Sequence, residues 1–222
     1  MKLIRRTLKV TGVIVLVAFV GLLGVGDYVY RTGTKVFCGI HTDHAANTPT
    51  RFVTPGSGRG PFRGSGWDRW VGHDLSAWWV PDIPVETVRI RDPHRAVTIA
   101  GWWMTPNFPS NKATVIVVHG IDSSRHNFDT LMPAAMLARA GFNILLIDLR
   151  DQGETTCEDG RHSAGQDESD DILTAAHWLK SVKAIPLSRL GVHGVSGGAL
   201  AALIVAAKNS DIAAFSLEAP VF

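Results

Sequence analysis

Cysteine is nearly missing from this chain: Cys38 and Cys157 are the only two in 222 residues. So low a count excludes a disulfide-dense secreted scaffold and a four-cysteine zinc module. No acid occurs before Asp27, although Lys2, Arg5, Arg6 and Lys9 precede it. Without those four the chain carries 18 basic and 20 acidic residues, so its net charge of +2 belongs to the tail and not to a basic surface. A nucleic-acid partner is thereby excluded on charge grounds. Charge of either sign is absent from Val10 to Gly26, and histidine is absent after His193.

The uncharged stretch is "VTGVIVLVAFVGLLGVG", seventeen residues flanked by the basic tail and by "DYVYR". At about 1.5 Å per residue this is near the lower limit for crossing a bilayer core. Tyr28 and Tyr30 suit the interfacial aromatic belt. The expectation is a transmembrane anchor at 10–26, a cytoplasmic tail at 1–9 and everything after Asp27 outside the cytoplasm. A cleaved signal peptide with "GLLGVGD" at the cut is the runner-up. "RRTLK" is similar to a twin-arginine export signal, but it reads equally as the positive-inside flank. An extracytoplasmic position permits a disulfide between Cys38 and Cys157, and their spacing leaves the pairing open.

Residues 27–84 read as an extracytoplasmic tether and N-terminal extension, because His41–Gly66 is rich in Gly, Pro, Thr and Arg and nearly free of periodic apolar residues. His41 and His44 have H-x-x-H spacing, but no third ligand or helix accompanies them, so no metal site is assigned. The glycines at 56, 58, 60 and 64 lack the strand and helix of a dinucleotide fingerprint. Trp67, Trp70, Trp78, Trp79, Trp102 and Trp103 cluster between this segment and the first strands. Packing onto a sheet is the plainer reading, an apolar substrate pocket or membrane contact the alternative. In "AGWWM" a period of two places one indole inward and one outward.

With 45% hydrophobic residues the chain has material for one sizeable core. From 85 onward the pattern is regular. "ETVRIR" and "AVTIAGWWM", joined by "DPHR", read as a hairpin. "ATVIVVHG" and "NILLIDLR" are apolar runs of the kind buried on both faces of a parallel sheet. "NFDTLMPAAMLARAGF" has helical spacing and stops at Gly141. "ILTAAHWLKSV" reads as a helix with the acids of "DESDD" in its first turn. "RLGVHGV" gives a strand, "GGALAALIVAAKNS" a helix and "DIAAFSLEAP" a last strand. Alternation of this kind indicates an α/β class with a largely parallel sheet over 85–222.

Gly194, Val195, Ser196, Gly197 and Gly198 spell G-x-S-x-G where strand gives way to helix. A sharp turn there exposes Ser196 and aims free backbone N–H groups at it, which suits a nucleophile beside a developing oxyanion. The alternative is a serine that caps the helix. Two further segments, "VIVVHGIDSSRHNF" and "GFNILLIDLRDQGET", precede it in order. With these three motifs the chain resembles the α/β-hydrolase superfamily over about Pro84–Phe222, and within it membrane-anchored bacterial hydrolases of the serine aminopeptidase-like and esterase type. The resemblance implies an α/β-hydrolase sheet holding the first six strands and lacking the last two. It implies an oxyanion hole from the backbone N–H groups of Ile121 and Gly197, and structural roles for His119, Asp148 and Arg150. The family usually has glycine where Asp151 stands.

A serine nucleophile needs a histidine to take its proton and a carboxylate to orient that histidine. In this fold the order is serine, acid, histidine. Only Asp211 and Glu218 are acids after Ser196, and no histidine follows. Glu218 ends the sixth strand, a position from which a minority of the family draws its acid. The triad histidine is absent, and "FSLEAPVF" would leave an apolar strand on a sheet edge. The expectation is therefore a C-terminally truncated hydrolase whose frame continues for roughly 70 to 120 residues. One reading is a serine hydrolase acting through an acyl-enzyme on Ser196, on a small-molecule or lipid-like ester, with amide or peptide bonds as the variant. The other is a non-catalytic binding or scaffolding domain, or an inactive fragment. Neither metal nor organic cofactor is implied, because acyl transfer through serine needs none.

Overall fold

The computed structural model describes residues 2–54, 71–106 and 113–220. It divides into two units, 1–35 and 36–222. The first is a single helix, α1 (Lys2–Gly33), of which Lys9–Gly33 has a mean hydropathy of 2.2 and no buried residue. By length and composition it is sufficient to cross a membrane. The helix runs past the uncharged stretch: Arg31 and Asp27 pair one turn apart at 2.8 Å, which offsets both charges on its surface.

The second unit is built on a sheet of six strands: β1 (Val85–Arg91), β2 (Thr98–Met104), β3 (Thr114–Val118), β4 (Asn143–Ile147), β5 (Leu190–Val195) and β6 (Ala214–Glu218). Their spatial order is β1-β2-β4-β3-β5-β6. β1 and β2 form the expected antiparallel hairpin, and β2 lies antiparallel to β4, whereas the pairs β4–β3, β3–β5 and β5–β6 are parallel. Asp92 closes the hairpin turn by accepting the N–H groups of His94 and Arg95 at 2.7 and 3.2 Å. The crossovers are α2 (Phe128–Arg139), α3 (Gln166–Val182) and α4 (Gly197–Lys208).

Side-chain alternation along the strands fills two apolar layers. Ile116, Val118, Leu145 and Ile147 meet Ile172 and Leu179 of α3 and Ala201 and Val205 of α4. Val117, Ile144 and Leu146 meet Leu131, Ala134 and Ala138 of α2 on the other face. Trp102 and Trp103 do point to opposite faces, but both indoles are buried, because this sheet is covered on each side there. Trp67 and Trp70, with the glycines at 56–64, lie outside the described residues.

Two boundaries differ from the expectation. The compact unit begins at Val36, well before 85. Residues 41–54, whose composition reads as a tether, are fastened to it: Phe52 is fully buried, its carbonyl accepts the Trp79 indole N–H at 2.6 Å, and Pro49 C=O accepts Val80 N–H at 3.1 Å. One buried aromatic and a few backbone bonds hold what lacks any apolar period. α3 also starts earlier, at Gln166, so only Asp167 and Glu168 occupy its first turn. Glu168 reaches back to the N–H groups of Ser163 and Gly165, each at 2.9 Å, and thereby fixes the helix start.

Candidate active site

Ser196 stands between β5 and α4 with φ 51° and ψ −115°, a backbone conformation that L-residues rarely adopt. Its N–H donates to the Glu218 carbonyl at 2.8 Å, and its C=O accepts Ala199 N–H at 3.0 Å and Leu200 N–H at 3.2 Å. The hydroxyl caps nothing, so the helix-cap alternative does not describe this residue.

Absent side chains make the turn possible. A Cβ on Gly198 would lie 2.3 Å from the His119 carbonyl oxygen, and one on Gly194 would lie 2.4 Å from the Gly198 carbonyl oxygen. At Gly197 a Cβ would lie 2.3 Å from Ile121 Cγ1 and 3.1 Å from Ile121 N. Gly120 faces Ser196 itself, since its Cβ would come within 3.2 Å of the serine Cβ. Thus the end of β3, the end of β5 and the start of α4 converge at van der Waals contact. The structure brings Ser196, Gly197 and Ile121 together, and among the described residues the N–H groups of Ile121 and Gly197 meet no acceptor.

His119 has both ring nitrogens committed. Nε2 accepts the Leu149 N–H at 3.0 Å, so Nδ1 carries the proton and donates to the Gly120 carbonyl at 2.7 Å. Burial lowers its pKa, which keeps the ring neutral and suits a support for the loop after β3.

The loop after β4 rests on buried charges. Asp148 is fully buried and accepts Arg125 N–H at 2.7 Å and Glu154 N–H at 2.8 Å, and its other partner is the Arg125 guanidinium. Arg125 also reaches Glu154 at 2.8 Å and lies 4.5 Å from the Trp102 ring centroid. Arg150 pairs with the buried Asp171 at 2.8 Å. Asp151 has φ 63°, which accounts for glycine being the usual residue there. Here the carboxylate compensates: its Oδ1 accepts the N–H groups of Glu158, Asp159 and Gly160. Beside it Cys38 and Cys157 form a disulfide with Cα atoms 5.6 Å apart. Arg125, Glu154 and Asp171 stand in segments singled out in the sequence, but their pairing was not foreseen, because nothing local in the sequence pairs residues 21 to 29 positions apart.

Glu218 lies opposite Val195 in the sheet, but its carboxylate faces the α2 side, 3.8 Å from His193 Nε2. His193 Nδ1 is 3.0 Å from Ser216 Oγ, and burial lowers its pKa. Asp129, in the first turn of α2, has its pKa raised to about 6 by burial, and the Glu218 charge adds to the shift. Asp211 precedes β6, at the opposite end of the parallel strands from Ser196. His41 lies 3.5 Å from Asp122. His44 has its pKa lowered, first by burial and then by His41.

Residues 109–222 match the serine aminopeptidase S33 family. The chain belongs to this family of α/β hydrolases. Within the superfamily it is similar to the Pyrococcus furiosus esterase Pf2001, at 28% identity and a TM-score of 0.56 over 64% of this chain and 55% of the esterase. The α/β hydrolase GrgF from Penicillium shares the fold at 21% identity, with a TM-score of 0.55 over 62% of this chain and 46% of GrgF. A Mycobacterium tuberculosis protein named "Putative phosphoribosyl transferase Rv0571c" is 30% identical over 130 residues, 57% of this chain. The S33-family chain spans 28% of the length of that relative, whose name describes the whole protein.

Proposed function

We propose that this chain carries the nucleophile and oxyanion hole of a membrane-anchored serine hydrolase acting on ester bonds, with amide or peptide bonds as the variant. The single observation that carries the reading is the left-handed Ser196 backbone at a strand-to-helix turn, packed against Ile121 by the small residues around it. Family membership supports hydrolase chemistry, and the esterase likeness favours esters.

In this reading Ser196 Oγ attacks the substrate carbonyl carbon while its proton passes to a base. The carbonyl π pair moves to oxygen, and the N–H groups of Ile121 and Gly197, with the positive end of α4, stabilise that oxyanion. Collapse of the tetrahedral species breaks the bond to the leaving group and leaves an acyl-serine, which water then hydrolyses. None of the nine histidines is assigned as the base: none follows Ser196, and His119 has both nitrogens engaged. Glu218 is assigned no triad role here, since its carboxylate faces His193. The Cys38–Cys157 disulfide favours a domain outside the cytoplasm, with α1 as its anchor and a cleaved signal peptide as the runner-up.

A fluorophosphonate tests the reading directly. The full chain in detergent, assayed at raised pH so that solvent hydroxide takes the proton no histidine is assigned to take, is expected to label at one site and to lose that label in Ser196→Ala. A folded chain that labels equally with and without Ser196 contradicts it and favours a binding domain on the hydrolase fold.

A further inference from the structure

Residues 36–41 take no part in the chemistry above, yet they are fastened to the loop after β4 and to the loop after β3, the latter packed on the serine turn. Val36 N–H donates to Gly160 C=O at 3.0 Å, Cys38 is bonded to Cys157, and Gly39 C=O accepts Gly153 N–H at 3.0 Å. These hold the segment to the loop after β4. Phe37 N–H donates to Asp122 Oδ1 at 2.8 Å, and the same oxygen is 3.5 Å from His41 Nε2. These hold the loop after β3. Farther along, Asn47 C=O pairs with His126 Nδ1 at 2.8 Å, so the N-terminal extension grips that loop near both its ends.

Asp122 directly follows Ile121, and its φ of 55° is one that an L-residue holds at a cost of about 1 kcal/mol or more. The orientation of the Ile121–Asp122 backbone therefore depends on what restrains residue 122, and the Phe37 hydrogen bond is such a restraint. Resting on the reading of Ser196 as nucleophile, we propose that Asp122 is a positioning residue for the Ile121 N–H, held by the strap 36–41 that the Cys38–Cys157 disulfide clips in place. The extension that follows the anchor helix in sequence is then part of the catalytic support.

Two substitutions separate this role from plain stability. Asp122→Gly removes the acceptor and carries no steric backbone penalty, because glycine takes positive φ freely. Asp122→Asn keeps an oxygen acceptor in the same place and tolerates the same φ. The measurements, on the full chain, are the rate of Ser196 phosphonylation and amide hydrogen exchange over 120–124. Asp122→Gly and the disulfide-reduced protein are expected to label about ten- to a hundredfold more slowly and to exchange faster at 121 and 122, with Asp122→Asn within about twofold of wild type. Equal labelling of wild type and both variants overturns the proposal, as does an equal loss in both. If wild type does not label, the nucleophile reading fails separately, and exchange then decides: faster exchange confined to Asp122→Gly supports positioning, and unchanged exchange overturns it.

Discussion

The β5–α4 turn and the loop after β4 both sit at the C-terminal ends of parallel strands, and they are built by opposite means. The turn is made by removing atoms: Gly194, Gly197 and Gly198 leave room for three backbones to meet. The loop is made by adding charges, with the Asp148–Arg125 and Arg150–Asp171 pairs buried beneath it. A glycine turn depends on local sterics and tolerates no added atom. A buried charge pair tolerates changes in shape but not the loss of one partner. Both segments carry the likeness to the hydrolases, and the departure from it falls at Asp151 in the loop, where the φ of 63° suits glycine.

Breaking the loop is expected to have the largest effect. Arg125→Met keeps much of the stem but leaves Asp148 buried without its countercharge, a loss of about 3–5 kcal/mol in urea unfolding of the full chain. A loss below about 1 kcal/mol would show that the backbone donors to Asp148 suffice alone. Replacing Cys38 and Cys157 together with serine is expected to cost about 2–5 kcal/mol, read from the same unfolding midpoint, because the bridge closes a loop with a sequence separation of 119. An unchanged midpoint would mean that the hydrogen bonds of residues 36–41 hold the loop without it. In the turn, Gly198→Ala is expected to cost about 1–3 kcal/mol by pushing α4 away from the His119 carbonyl. Phosphonate labelling should fall with it, and retained labelling would show that the turn accommodates a methyl group.

The smallest effect concerns a charge outside both regions. Asp129 has its carboxyl raised from 3.8 to about 6, so the folded state binds its proton more tightly than the unfolded chain does. Stability at this residue is therefore full below about pH 4 and falls as pH rises through about 6. Asp129→Asn should unfold at a higher temperature than wild type at pH 7 and at the same temperature at pH 4. A gap that persists at pH 4 would assign the effect to packing instead.

The same contrast explains what was legible in the sequence. The turn is written in five consecutive residues, Gly194–Gly198, and its backbone strain follows from a serine placed among glycines. The strands of the core were legible because buried parallel strands leave unbroken apolar runs. In the loop the structural place of Asp148 and Arg150 was legible but their partners were not, because Arg125 finds Asp148 across 23 positions and Arg150 finds Asp171 across 21, and an isolated acid or base carries no mark of its partner. The N-terminal extension misled for a related reason. Its composition is that of a tether, but Phe52, a disulfide and scattered backbone hydrogen bonds dock residues 36–54 onto the hydrolase unit. Asp151 shows both effects: glycine is the expected residue for its φ, and the carboxylate found there instead organises 158–160.

The central claim is that Ser196 is a nucleophile held against an oxyanion hole. Its most direct measurement is mass spectrometry of the full chain after exposure to a fluorophosphonate. The predicted result is a single adduct on the peptide containing Ser196, lost in Ser196→Ala and slowed in Gly198→Ala. A folded wild-type chain with no adduct on Ser196 would contradict it.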